Sequence, residues 1–185
     1  LRQSWGMGDN DLACLYVGRL APEKNLDMVV RTHDAITQAQ PNTRMVWVGD
    51  GPAMEHLRAT HPHHIFAGSR TGEDLATHYA SADLFLFASL SETWGNVLGE
   101  AMASGLGVVA YSRAAAVSLI RHGENGVSVP PGDEAAFLEG ATALVADGGL
   151  RSRLGRRAVQ DMSDNAWATV IGQLETVLEQ ARAPA

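Results

Sequence analysis

The sequence has a single cysteine, no long apolar run and no excess of positive charge. Because Cys14 is the only cysteine, the sequence excludes an internal disulfide and a metal site built from several thiolates. The apolar residues around Cys14 are typical of a buried core residue. No stretch approaches the roughly 18 apolar residues of a membrane-spanning helix. With 14 basic and 21 acidic residues, the net charge of −7 argues against nucleic acid or an anionic membrane as the main partner. We therefore expect a cytoplasmic domain in which any anionic ligand is held by a few local cations.

Two common phosphate-binding motifs are also absent. Gly49 and Gly51 follow an apolar run, but Met54 stands where the dinucleotide fingerprint requires its third glycine. The loop from Gly18 to Lys24 lacks the glycine that directly precedes the lysine of a P-loop. The sequence therefore supports neither NAD binding nor ATP hydrolysis.

The 185 residues do contain a regular alternation of short apolar runs and helical patterns, and their number suits one domain. The runs predict strands at 12–17, 45–48, 65–67, 84–87, 108–111 and 127–129. Apolar stripes predict helices at 26–36, 53–60, 73–81, 96–104 and 117–121, and C-terminal helices from about residue 134, with a last stripe over 167–178. This order predicts an α/β fold, a Rossmann-like parallel sheet of about six strands with helices on both faces.

The domain boundaries follow from composition. We expect residues 12–185 to form the folded domain. Residues 1–11 are polar and begin at Leu1 rather than Met, so we expect them to be a linker from a missing N-terminal domain.

The segment SLSETWGNVLGEAMAS, residues 89–104, is predicted to be the centre of the ligand site. It leads from a strand into a helix, whose N-terminus attracts anions, and it carries Glu92 and Glu100. Loops that follow parallel strands share one crevice, so Arg19 and Lys24 are expected nearby, where they can bind phosphate. The residues alone leave open that both cations are solvated, with Glu23 as a local partner. The spacing of the two glutamates does not indicate a glycosidase-like acid/base pair.

The seven histidines raise the question of a metal site. His33 lies on an apolar helical stripe, which favours a hydrogen-bonded core histidine. His61, His63 and His64 lie in a predicted loop without an acidic partner block, which favours solvated side chains. We therefore predict that the chain binds no metal.

Four sequence blocks resemble the C-terminal, donor-binding half of a retaining group 1 glycosyltransferase of the GT-B fold. They are VGRLAPEKN (17–25), VGDGP (48–52), FAGSRTGEDLATHYASADLFLFASLSETWGNVLGEAMASGLGVVAY (66–111) and HGENGVSVPPGD (122–133). All four blocks in this order form a specific pattern, whereas the spacing of Glu92 and Glu100 alone would be weak. The residues of these blocks are most similar to those of GDP-mannose-dependent mannosyltransferases. Ala88 and Gly107 depart from the usual family residues, and Gly107 is expected to loosen the turn into the fifth strand.

The resemblance assigns roles to individual residues. It implies that Arg19 and Lys24 hold the donor diphosphate and, together with Glu92 at the transferred sugar, serve catalysis. It implies that Glu100 binds the ribose of the nucleotide. The remaining donor-binding residues that it implies are Gly18, Asp50, Gly51, Gly68, Ser69, Arg70, Gly95, Asn96 and Val97.

The same resemblance implies the activity of a longer protein. The donor would be GDP-mannose or a UDP-hexose, the transferred hexose mannose or glucose, and no cofactor or metal would take part. The acceptor would bind to an N-terminal domain of the same chain, so we expect the present chain alone to be inactive. Peripheral membrane contact through the missing domain stays open. The alternatives are a non-catalytic nucleotide-binding module and a sugar-nucleotide epimerase of the same fold.

Overall fold

A sheet of six parallel strands forms the centre of the domain. The computed structural model describes residues 1–91 and 95–164. The strands are β1 (Leu12–Val17), β2 (Thr43–Val48), β3 (Ile65–Gly68), β4 (Leu84–Phe87), β5 (Gly107–Tyr111) and β6 (Val127–Val129). They lie in the order β3-β2-β1-β4-β5-β6, and every pairing is parallel. The strand order reverses between β1 and β4, which is where a sheet of this kind opens a crevice at its carboxyl edge.

Helices cover both faces of the sheet. The α-helices of the described residues are α1 (Leu26–Ala39), α2 (Met54–Thr60), α3 (Gly72–Ala80), α4 (Asn96–Ala103), α5 (Ala115–Leu119), α6 (Glu134–Ala146) and α7 (Gly148–Asp164). Short 3-10 helices form at Arg2–Trp5 and Pro22–Lys24. The predicted α/β class, with a six-stranded parallel sheet between two helical layers, is confirmed.

Two apolar clusters form the core, one on each face of the sheet. Cys14 and Tyr16 of β1 pack into the cluster that contains residues of α1 and α6, whereas Leu15 and Val17 pack into the cluster that contains residues of α3 and α4. This alternation is the period of two expected of a strand buried on both faces. Burial, with a smaller contribution from Asp83, raises the pKa of the Cys14 thiol to about 12, so the thiol stays protonated in the core.

The segment before β1 contacts the domain through a few side chains. Trp5 and Met7 are buried against the domain, at 9% and 7% exposure. Arg2 donates to the Asp83 carboxylate over 2.8 Å and to the Ser81 carbonyl over 3.0 Å. Trp5 and Met7 therefore belong to the core, and the role of residues 1–11 as a linker stays a prediction. The expectation of a further N-terminal domain stays a prediction.

Helix ends and one short helix also differ from the sequence-based boundaries. Helix α1 continues to Ala39, and α5 begins at Ala115, two residues before the predicted start. Alanines give no apolar stripe, so the pattern did not show where α5 begins. The apolar stripe at 167–178 lies outside the described residues. No helix within the described part of the chain is both long and apolar enough to cross a membrane.

Candidate functional site

A cavity of about 410 Å³ opens at the point where the strand order reverses. It lies between the ends of β1 and β4, the loop that follows β1, and the start of α4. Its lining residues are Tyr16, Val17, Gly18, Arg19, Glu23, Lys24, Phe87, Gly95, Asn96 and Val97. Six of the predicted donor-binding residues therefore line one cavity, namely Gly18, Arg19, Lys24, Gly95, Asn96 and Val97.

Hydrogen bonds fix the loop after β1 against the described part of the loop after β4. The Asn25 side chain donates to the Ala88 carbonyl over 3.2 Å, and the Ser91 hydroxyl donates to the Glu23 carbonyl over 3.1 Å. The Lys24 ammonium donates to the Ser91 carbonyl over 3.3 Å. These contacts hold the two walls of the cavity together and keep the Lys24 ammonium at its mouth.

Arg19 and Lys24 supply positive charge in a chain that is acidic overall. Arg19 forms an ion pair with Glu23 at 3.2 Å, but the two side chains are 65% and 45% exposed. An ion pair this exposed contributes little free energy, so Arg19 can turn toward an anion at low cost. Lys24 is the only lysine in the sequence, which makes it a distinctive probe of the cavity.

The start of α4 forms the wall opposite these cations. Gly95 precedes the helix with a φ of +84°, and no acidic residue lies in the first turn. Within the described residues no side chain caps this end. The first backbone amides and the positive end of the helix dipole therefore complement Arg19 and Lys24 as binding groups for an anion such as a diphosphate.

The backbone of the loop after β2 contacts the backbone of the loop after β1. Its Gly49 amide donates to the Gly68 carbonyl and its Asp50 carbonyl accepts from the Leu20 amide, both over 2.9 Å. A Cβ atom on Gly49 or Gly51 would overlap the backbone of the loop after β1. Glycine is required here because two backbones touch, whereas the sequence showed only a turn and the resemblance implied a donor-binding role for Gly51.

The remaining predicted residues whose positions the structure describes do not line the 410 Å³ cavity. The Asp50 side chain accepts from the Gly51 amide over 2.7 Å, and Ser69 is exposed. Arg70 pairs with Asp74 of α3 at 3.1 Å. Glu92 lies outside the described residues. The roles of these side chains toward a donor stay predictions.

Glu100 lines a second cavity, of about 390 Å³, between α3 and α4. Its carboxylate accepts a hydrogen bond of 2.8 Å from the Tyr79 hydroxyl. Sequence reasoning missed Tyr79, because it lies in the apolar pattern of α3 and no local signal connects it with Glu100. It also missed Tyr16 and Phe87, which line the first cavity from strand ends and resemble core residues in the sequence.

A group of histidines lies at the opposite edge of the sheet, where β3 begins. Three of its ligand atoms, from His61, His63 and His64, lie within 4.8 Å of one another, as do those of His33, Asp34 and His64. The Trp47 indole donates to Nδ1 of His64 over 3.1 Å, so the neutral His64 ring carries its proton on Nε2. A protonated nitrogen has no lone pair for a metal. This hydrogen bond therefore disfavours coordination through His64, and the absence of a metal stays our prediction.

The chain belongs to the group 1 glycosyltransferases. Residues 11–147 match the family model described as "Glycosyl transferases group 1". The resemblance in the four sequence blocks is thereby confirmed at the level of the family.

Two curated relatives are GDP-mannose-dependent alpha-mannosyltransferases. The protein of Corynebacterium glutamicum is 32% identical over 174 residues and that of Mycobacterium tuberculosis is 34% identical over 175 residues. Each alignment covers 94% of this chain but only 41% and 44% of the respective relative. The chain therefore spans less than half the length of these relatives.

A solved structure with the same architecture is Anabaena Alr3699/HepE in complex with UDP. It superimposes with a TM-score of 0.81 and 25% identity, covering 97% of this chain and 51% of that one. The chain thus has the fold of one half of a GT-B glycosyltransferase, as we predicted.

Proposed function

We propose that this domain is the donor-binding half of a retaining hexosyltransferase and that its 410 Å³ cavity binds the diphosphate of a nucleotide sugar. The observation that carries the proposal is the convergence of Arg19, Lys24 and the start of α4 on one cavity. Two relatives are GDP-mannose-dependent enzymes and one structural neighbour is in complex with UDP, which supports GDP-mannose or a UDP-hexose as the donor.

The cavity suits the charge that develops during sugar transfer. When the bond between sugar and diphosphate breaks, negative charge accumulates on the leaving diphosphate and positive charge on the anomeric carbon. Fixed cations and amide dipoles stabilise the leaving group more strongly in the transition state than in the ground state. Arg19, Lys24 and the first amides of α4 would supply this stabilisation without a metal ion. Glu92 would contact hydroxyls of the transferred mannose or glucose.

The rest of the reaction would depend on a second domain. The acceptor would bind in an N-terminal domain of the longer protein, and the cavity would lie between the two halves. We therefore expect the present chain to bind nucleotides weakly and to transfer no sugar. A cytoplasmic location also belongs to this proposal.

Removing the Lys24 ammonium is expected to weaken nucleotide binding. Lys24→Ala should raise the Kd for GDP or UDP by about 10- to 150-fold, which corresponds to about 1.5–3 kcal/mol for a lost charged hydrogen bond. Isothermal titration calorimetry with GDP, UDP, ADP, GDP-mannose and UDP-glucose would measure the effect and identify the base. Because Lys24 is the only lysine, protection of its amine from an acylating reagent by bound nucleotide gives a second readout.

Two further variants separate a local contact from net charge. Lys24→Arg keeps the charge and should retain part of the affinity. Arg153→Ala removes one positive charge from the exposed surface of α7 and should leave binding unchanged. Equal affinity in wild type and Lys24→Ala would remove Lys24 from the site, and a wild-type chain that binds no nucleotide would overturn the proposal.

The alternatives are separated in the full-length protein. Transfer of a hexose to an acceptor supports the transferase, whereas interconversion of the free sugar nucleotide supports an epimerase. Nucleotide binding without either reaction supports a non-catalytic module. Retention of anomeric configuration in the product would be checked by NMR.

A further inference from the structure

The second cavity contains a buried hydroxyl aimed at an exposed carboxylate. Tyr79 is 2% exposed and its ring packs against Phe85 at 6.1 Å between centroids, so the ring is held firmly by the core. Its hydroxyl donates to Oε2 of Glu100 over 2.8 Å. Among the described residues, no other side chain forms a hydrogen bond with this carboxylate.

The direction of this hydrogen bond is fixed. A carboxylate can only accept, so the tyrosine hydroxyl is the donor. Burial raises the pKa of Tyr79, and the hydrogen bond to Glu100 raises it further, so the hydroxyl keeps its proton throughout the physiological range. One carboxylate oxygen is thereby held, and the other oxygen, Oε1, remains available to a ligand.

Helix α4 connects this carboxylate with the diphosphate cavity. Val97 lines the first cavity, and Glu100 lines the second. Three residues along a helix are a rise of about 4.5 Å, so the two positions are neighbours on the same side of α4. The Tyr79 hydroxyl lies between them, 3.4 Å from the Val97 carbonyl. A nucleotide whose diphosphate lies at the start of α4 would therefore bring its ribose toward Glu100.

We propose that Tyr79 is a positioning residue, which holds the Glu100 carboxylate so that its free oxygen accepts hydrogen bonds from the ribose hydroxyls of the bound nucleotide. The inference rests on the proposed function, because it takes the ligand to be a nucleoside diphosphate. A carboxylate fixed by a buried donor loses less conformational entropy on binding than one that is free to rotate. Tyr79 would thus contribute to the preference for ribonucleotides over deoxyribonucleotides without touching the ligand.

The experiment compares, in wild type and in variants, the affinity for a nucleotide that has a given ribose hydroxyl with the affinity for one that lacks it. The Kd values of GDP and UDP and of their 2′-deoxy and 3′-deoxy analogues would be measured by calorimetry. Wild type should bind the ribonucleotide about 10-fold more tightly than an analogue lacking the contacted hydroxyl. Tyr79→Phe should weaken the ribonucleotide by about 5- to 10-fold and leave that analogue nearly unchanged, so that the discrimination largely disappears.

Tyr111→Phe is the matched control. The same hydroxyl is removed from a buried ring of β5, where it forms no hydrogen bond with the described residues and lies outside both cavities. This variant should keep the affinity and the discrimination of wild type. A purely structural effect of Tyr79→Phe would weaken both nucleotides equally, and that result would overturn the inference.

A second variant covers the case in which Tyr79→Phe does not fold. Glu100→Gln keeps the side-chain shape, removes the charge and should also reduce the discrimination. In the double variant the two losses should not add, because both remove the same positioned acceptor. Fully additive losses in the double variant, or unchanged discrimination in Glu100→Gln, would overturn the inference. The proposed function would stand in that case as long as the wild-type chain binds the nucleotide. If wild type bound none of the nucleotides, both proposals would fail together.

Discussion

Gly49→Ala is expected to lower the free energy of unfolding by about 3–5 kcal/mol and to weaken nucleotide binding with it. The new Cβ atom would overlap the carbonyl group of Gly18, which is backbone and cannot rotate away. The φ of Gly49 is +138°, a conformation that residues with a side chain rarely adopt. The loop after β1 would have to move, and it carries Arg19 and Lys24. Urea unfolding and nucleotide titration would measure the two effects.

Gly132→Ala separates the backbone contact from the conformational strain. Gly132 also has a positive φ, +82°, but a Cβ atom there would meet nothing within 4 Å. This control should lose only about 1–2 kcal/mol, the cost of a left-handed conformation for alanine. If both variants lost the same stability, the close approach of the two loops would contribute nothing to the fold.

Most of the fold could be predicted from local patterns, because each strand is a separate apolar run and each run is followed by a turn and a helical stripe. The contacts of the segment before β1 with the domain could not be predicted in this way. The contact between Arg2 and Asp83 spans 81 positions, and two buried apolar residues in eleven give no periodicity. A segment that packs through a few distant contacts looks like a linker in the sequence.

The 410 Å³ cavity was predictable because topology places the loops after β1 and β4 side by side. The function of Gly49 was not, since the sequence shows a glycine-rich turn but does not show which backbone lies against it. The hydrogen bond between Tyr79 of α3 and Glu100 of α4 spans 21 positions, and only the placement of the two helices around one cavity reveals it. The packing of Gly107 was also not visible in the sequence.

A Cβ atom at Gly107 would meet the Arg151 side chain at 2.8 Å, so this glycine makes room for α7. The sequence predicted only that Gly107 loosens the turn into the fifth strand.

The histidines are where the sequence-based interpretation was least accurate. His33 was expected to be a hydrogen-bonded core residue, and it is buried, at 2% exposure. Neither of its ring nitrogens forms a hydrogen bond of good geometry with the described residues. It packs edge-on against His64 at 4.9 Å between ring centroids, and His64 is 5% exposed rather than solvated. Two histidines 31 positions apart thus form a buried neutral pair, because His33 of α1 packs against His64, the residue that precedes β3.

Lowering the pH from 7 to 5 is expected to cost about 2–4 kcal/mol of unfolding free energy through this pair. Burial lowers the pKa of His33 to about 4, although the Thr43 backbone and Asp34 favour its protonated form. Burial, with the neighbouring His33 as the next cause, lowers the pKa of His64 to about 3. In the unfolded chain a histidine has a pKa of about 6.5. The unfolded state therefore binds protons first, and stability that is complete above that pH falls as the pH decreases toward the folded-state values.

The Asp161 carboxylate has a lowered pKa, so its contribution to the pH dependence lies below this pH window. Burial raises the pKa of Asp161, but hydrogen bonds from Arg121 and Asn125 outweigh it and hold the pKa below its ordinary value. Such a group contributes its stability above about pH 4 and loses it only at lower pH. Urea unfolding between pH 5 and pH 7.5 would therefore report mainly on the histidine pair.

The variant His33→Leu tests the assignment, because it replaces one titrating ring by an apolar side chain on the same helix. Its stability should change with pH about half as steeply as that of wild type between pH 5 and 6.5, since one of two protons is no longer taken up on unfolding. Thr32→Val is the control. It removes a buried hydroxyl of α1, whose hydrogen bond to the Met28 carbonyl is 2.7 Å, and should lower stability equally at every pH. The same slope in wild type and His33→Leu would show that His33 is already protonated in the folded protein, contrary to its burial.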